Sequence, residues 1–245
     1  MSDLRTALAD ALGPLYRVER EVRPVGEYRL FVATLENADP ASLASQPLLI
    51  KVLPAALSLG INDLHFERAV LLLAETLHNP NLVRPRGAGR AGPFAYHTRP
   101  FVHGTTLRAW IGNNGAVPLT RAVEIVRGVL NGLAHAHAAG IAHGDLKAEN
   151  ILLADEGILV ADTGIAAALG KPATARNDMA ALQALVREML TGRRPNLAEE
   201  PVERARTLPA WFSEWMGFRW SDAGKALAAM RPPPPPSSHS SQLFA

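Results

Sequence analysis

Four side chains in this sequence stand in an order that suits phosphoryl transfer from ATP. That chemistry needs a cation on the α- and β-phosphates, two ligands for Mg²⁺ and a carboxylate that orients the attacking hydroxyl. Lys51 closes a strand-like run, LLIKVL; Asp145 and Asn150 share one short loop, HGDLKAEN; Asp162 follows a second apolar run, GILVAD. Each alone has a plainer explanation, because a strand Lys is commonly solvated and Asp-Thr-Gly is commonly only a turn. Their joint occurrence, each on the kind of element the chemistry requires, carries the reading.

The elements that must hold these residues can be traced from hydrophobic periodicity. Ser2 or Asp3 is expected to cap a short helix with Leu4, Ala7, Leu8, Ala11 and Leu12 on its apolar face, stopped at Gly13-Pro14. From Tyr16 to Val52, short apolar runs separated by PVG and NADPAS predict antiparallel strands. A helix is expected over roughly Asn62 to Leu77, then two more strands in NPNLVRPRGAGRAGPFAYHTRPFVHG. Downstream of Gly104 the period is helical in TLRAWIGNN, LTRAVEIVRGVLNGLAHAHAAG, NDMAALQALVREMLTG, LPAWFSEWM and SDAGKALAAM, with NILLAD and GILVAD forming a hairpin between the second and third. The pattern predicts a small β-rich lobe with one long helix, followed by a helical lobe. Residues 231–245, which open on five prolines and continue with Ser and His, cannot bury a core.

Composition narrows the function. With 245 residues and 48% hydrophobic side chains the chain can bury a substantial core. The balance of 25 Lys+Arg against 23 Asp+Glu, with no basic run interleaved with aromatics, argues against nucleic acid as a partner. Zero cysteines exclude a disulfide framework, a thiolate metal site and a Cys nucleophile. The N-terminus lacks a basic patch followed by an apolar run, and no stretch approaches the roughly 18 apolar residues of a membrane span. A cytoplasmic protein is expected.

The motifs together resemble the bacterial Ser/Thr protein kinase family. YRVEREVRPVGEYRLFVA lies without a gap on that family's first two strands, and LLIKVL resembles its Val-Ala-Ile-Lys strand. HGDLKAEN resembles the catalytic loop His-Arg-Asp-Leu-Lys-x-x-Asn, ADTG the Asp-Phe-Gly metal motif, and RNDMAALQALVREMLTG the large C-lobe helix with its leading Asp178. RWSDAGKALAAM resembles the final helix. The resemblance implies an α+β, two-lobed fold over residues 1–230, with an N-lobe of about 14–102, a C-lobe of about 103–230 and a separate tail at 231–245. It implies ATP and Mg²⁺ as cofactors: Lys51, Gly26 and Val102 on the nucleotide, Asp145 orienting the hydroxyl, Lys147 at the γ-phosphate, and Asn150 and Asp162 on the metal.

Several departures from the family pattern bear on function. The first two glycines of the phosphate-covering loop fall on Arg23 and Val25, leaving Gly26; glycine serves there because backbone N–H groups must approach phosphate without a Cβ. Arg23 could answer a phosphate with a charged fork, although a solvated Arg is the plainer expectation. The N-lobe helix Glu that pairs with the strand Lys is replaced by Ala69, and Glu67, about 200° around the helix, should point away. Arg99 stands at the back of the adenine pocket, where a buried Arg needs an anionic partner. Gly144 replaces the Arg of His-Arg-Asp. The stretch from Asp162 to Asp178 is roughly half the activation segment the resemblance implies. It lacks the Ala-Pro-Glu element, so Arg219 loses the partner that the resemblance gives it.

Three readings follow. The losses favour a degenerate, pseudokinase-like regulatory or binding module with a protein partner. The retained Lys51, Asp145, Lys147, Asn150 and Asp162 favour an active Ser/Thr protein kinase with an unusual nucleotide grip. HGD without Ala-Pro-Glu also resembles small-molecule phosphotransferases. Elsewhere, His135 and His137 are two apart on a helix and cannot share a face for a metal. Trp211, Trp215 and Trp220 are expected to cap the shortened C-lobe, and the prolines at 232–236 offer a partner an extended docking segment.

Overall fold

The computed structural model describes residues 4–25, 27–36, 38, 46–194 and 208–230; for Arg23, Pro24 and Val25 it describes the backbone. Ser2, Asp3, Gly26 and the tail at 231–245 lie outside the described residues.

The sequence periods become an N-lobe sheet and a helical C-lobe, the α+β, two-lobed arrangement expected. Helix α1 (Leu4–Leu12) buries Leu8 and Leu12 and gives way to a 3₁₀ turn, Gly13–Leu15, where Pro14 removes a donor. Strands β1 (Tyr16–Val25), β2 (Tyr28–Leu35), β3 (Leu48–Val52), β4 (Gly87–Ala91) and β5 (Phe94–Pro100) form an antiparallel sheet in the order β1-β2-β3-β5-β4. Every β3 residue is buried: β3 is the central strand of the sheet, and α1 packs against the face that carries Ile50 and Val52. The short helix α2 (Ala55–Ser58) leads to α3 (Asp63–Thr76), which Asn62 caps by accepting from the His65 N–H. Phe66, Val70 and Leu73 form the buried face of α3.

The C-lobe begins with β6 (Gly104–Thr106), which runs into α4 (Leu107–Asn114), and α5 (Leu119–Ala138) is its central helix. Ten residues of α5, from Ala122 to Ala136, are buried, as its apolar period requires. The expected hairpin is β7 (Ile151–Ala154) and β8 (Gly157–Val160), joined by β6 in a second antiparallel sheet. Helix α6 (Ile165–Ala168) follows, then α7 (Ala175–Thr191), α8 (Ala210–Gly217) and α9 (Ala223–Ala229). Helix α9 packs on α5, and Trp215 closes the end of the lobe: it stacks on Phe212 and its indole N–H donates to Ala226 O (2.8 Å). The Trp220 indole N–H donates to Trp215 O, so two of the three tryptophans have the capping place expected of them.

The lobes meet in one continuous core running from Leu53 and Phe66 through α5 to Phe212. The Val83 N–H donates to Val160 O and the Val160 N–H to Asn81 O, which ties the chain after α3 to β8. The cleft between the lobes is thereby fixed from behind.

Candidate functional site: a buried cation cluster around Asp162

The loop holding Asp145 is built on α7. Asp178, 1% exposed, accepts the His143 N–H (2.7 Å) and the Gly144 N–H (2.9 Å). His137 Nδ1 accepts the Ala223 N–H (3.0 Å), so its Nε2–H is free to donate to Asp178 Oδ2 (2.9 Å). Burial alone would raise the Asp178 carboxyl, but these donors hold it below the usual carboxylate range. His143 works in the same way one layer up: its Nδ1 accepts the Asp145 N–H (3.1 Å) and its Nε2–H donates to Ala161 O (3.0 Å). Burial depresses its basicity, consistent with the neutral tautomer that these bonds require. The Asn150 amide donates to Asp145 O (2.8 Å), which leaves Asn150 Oδ1 without a protein donor among the described residues. The Asp145 carboxylate itself stands half-exposed at the mouth, paired with Lys147 Nζ at 2.6 Å.

Asp162 is placed by backbone strain. It is the one non-glycine residue with positive φ (63°) among the described residues, a conformation Asp tolerates better than most. The next turn is fixed by Gly164, where a Cβ would lie 2.5 Å from Leu73 Cδ2 of α3. The carboxylate is thereby turned toward β3 and β5, where it meets two cations. Lys51 Nζ is 2.5 Å from Asp162 Oδ2, and Arg99 Nε is 3.6 Å from Oδ1; the side chains are 6%, 12% and 8% exposed for Lys51, Arg99 and Asp162. Burial would raise the Asp162 carboxyl, but the charges around it, Lys51 foremost, hold it far below the usual range. Burial lowers the Arg99 pKa and Asp162 opposes that shift.

The anionic partner that a buried Arg99 requires is therefore Asp162. Lys51 has the same partner: Glu67 points to solvent, and Ala69 takes the inward place on α3. Gly144 adopts φ 80°, and a Cβ there would come within 2.8 Å of Ala166 and 2.9 Å of Ala173. The shortened segment between Asp162 and Asp178 thus fills the space beside Gly144. Arg219 is exposed and makes no ion pair among the described residues.

Two side chains that sequence reasoning missed complete the cluster. Tyr28, at the start of β2, lies with its ring centroid 4.3 Å from Lys51 Nζ. His97 faces Lys51 across the β3–β5 register; both its ring nitrogens are buried without a partner, and burial pushes its pKa down to about 4. No motif marks it.

The interlobe cleft has two unequal parts. The wide part, about 600 Å³, is lined by Val22, Leu30 and Leu49 of the N-lobe sheet, by Phe101 and Val102 of the connection, and by Leu152 of β7, with Arg99 at the back. At its outer end Glu149 is bracketed by Arg108 (3.0 Å) and Arg194 (2.8 Å), and Arg108 also pairs with Glu188. The inner part, lined by Tyr28, Lys51, His97, Asp145, Asp162 and Lys171, encloses about 20 Å³, room for a single water. Of the residues assigned to nucleotide and metal, Val102 thus lines the wide part, while Lys51, Asp145 and Asp162 line the narrow part. Asn150 and Lys147 adjoin Asp145, and Gly26 lies outside the described residues.

A flat heterocycle fits the wide part, where apolar walls face each other. Mg²⁺ fits the inner part poorly: a dication at Asp162 would adjoin two cations already on that carboxylate.

Fold and loop together define a protein-kinase-like domain, and comparison with known proteins gives the family. Residues 55–201 match the family model described as protein kinase domain, and the chain belongs to that family, with bacterial Ser/Thr kinases among its relatives. It is 29% identical over 209 residues to the probable serine/threonine-protein kinase PknB of Lactococcus lactis, covering 74% of this chain and 32% of that protein. It is 40% identical over 81 residues to the serine/threonine-protein kinase PknL of Mycobacterium tuberculosis, covering 33% and 20%. The chain thus spans a third or less of the length of these relatives. Among solved structures it resembles the M. tuberculosis PknI kinase domain (TM-score 0.69, 18% identity, 88% of this chain and 94% of that one). It also resembles Rad53 1–466 in complex with AMP-PNP (TM-score 0.65, 20% identity, 87% and 64%). No helix among the described residues is long and apolar enough to cross a membrane.

Proposed function

We propose that this kinase-family domain is a nucleotide-binding regulatory module that does not turn its nucleotide over. The observation that carries this reading is the buried Lys51–Asp162–Arg99 cluster, in which the carboxylate needed for a catalytic metal is already neutralised by the protein's own cations. Base and ribose occupy the wide part of the cleft, against Leu49, Val102 and Leu152. The phosphates extend from it toward Lys147 and Lys171, without a divalent cation. The module acts on a protein partner; Leu64, Leu71 and Leu72 remain exposed along α3, an apolar surface that such a partner would cover.

One observation favours a working kinase instead: Asp178, His143 and Asn150 hold the Asp145 loop with a full set of hydrogen bonds. Incubating the chain with γ-labelled ATP and GTP, with Asp145→Asn as control, separates the two readings. The regulatory reading expects no label in the chain or in added acceptor protein. Label that is present in the native chain and lost in the variant would establish turnover.

A further inference from the structure

The wide part of the cleft has apolar walls, yet a guanidinium lines it beside the Asp162 of the inner part. Arg99 lines this part together with Phe101 and Val102, and its guanidinium offers donors only. Its Nη1 donates to the backbone oxygen of Pro100 (3.3 Å), which takes up one of the two lone pairs of the carbonyl at the start of the lobe connection. Its Nε is buried without a hydrogen-bond partner, and the guanidinium makes no other hydrogen bond to a described residue. Asp162 neutralises the charge from the far side at 3.6 Å and leaves the remaining N–H groups unspent.

A planar base entering this slot meets several unspent donors and a carbonyl that a donor already shares. Adenine presents a donor at its 6-position beside the N7 acceptor, and that donor would abut the guanidinium. Guanine presents two adjacent acceptors, O6 and N7, which match a guanidinium bidentately. Leaving buried donors unpaired against the wrong base is the kind of mismatch that polar sites reject strongly. The geometry points to a 6-oxopurine nucleotide, of the guanine class, as the ligand this cleft prefers over an adenine nucleotide, with Arg99 as the residue that decides. This inference rests on the nucleotide-binding reading above and adds the identity of the base.

The test is calorimetric titration of the full chain with GTP, ITP and ATP in EDTA. ITP is the informative probe, because it carries the O6/N7 edge of guanine without the 2-amino group. GTP and ITP are expected to bind about ten- to a hundredfold more tightly than ATP, the range that one bidentate Arg–guanine pair provides. In Arg99→Met, confirmed as folded by its melting curve, that ratio should fall toward one. ATP binding as tightly as ITP in the native chain would overturn the base preference and leave the nucleotide reading standing. A preference that persists in the variant would overturn the role of Arg99. Failure of all three nucleotides to bind would overturn the nucleotide reading itself, and the inference with it. Should the variant not fold, the ITP-to-ATP ratio in the native chain still decides.

Discussion

Asp162 holds two buried cations in place, and its removal should be felt as a loss of stability. Asp162→Asn keeps the shape but leaves Lys51 and Arg99 without a counter-charge, and breaking a buried ion pair costs about 3–5 kcal/mol, against about 1 or less for an exposed one. Urea unfolding should therefore show a midpoint lowered by an amount equivalent to about 3 kcal/mol at unchanged slope; a change below about 1 kcal/mol would mean that the cluster is solvated. His97 supplies a pH dependence. Its folded pKa of about 4 lies below the 6.5 of an unperturbed His, so as pH falls the unfolded chain takes up the proton first. Stability from this residue is complete above pH 6.5 and declines as pH falls toward about 4, by on the order of 3 kcal/mol. The buried His143, also depressed, acts with the same sign. Melting curves from pH 7 to 4 should show the decline, and His97→Leu should flatten it; an unchanged slope in the variant would contradict the assignment.

At the level of elements, the short segment after Asp162 replaces the missing motif Arg with close packing. Gly144→Ala introduces a Cβ against Ala166 and Ala173 in a left-handed backbone, and should cost about 1–3 kcal/mol with a lowered Tm. A neutral result would show that the segment does not press on the loop. Most elements were legible in the sequence because they are long enough to show a period: α3 and α5, and the β7–β8 hairpin, lie where the apolar spacing sets them. What escaped were pieces too short to have one, namely β6, α2 and α6. Helix α7 begins earlier than its motif because Thr174, capping by accepting the Asn177 N–H, starts it. In the site, the loop residues were legible as a string. Arg99 was legible only as a residue in need of a partner, and its partner Asp162 is set by the meeting of β5 with the turn after β8. Tyr28 and His97 carry no spacing signal, since each acts through a neighbour distant in sequence.

At the scale of the whole molecule, a kinase-family domain keeps the hydrogen-bonded scaffold of the Asp145 loop while Asp162, the carboxylate that the family resemblance assigns to a metal, is committed to Lys51 and Arg99. The consequence most directly open to test is that nucleotide binding does not depend on a divalent cation. Calorimetric titration with GTP, once in EDTA and once in millimolar Mg²⁺, measures this in the native chain. The account predicts dissociation constants that agree within about threefold, which is less than 1 kcal/mol. Binding that appears only with Mg²⁺, or tightens tenfold or more when it is added, would show that Asp162 is surrendered to the metal and would contradict the account.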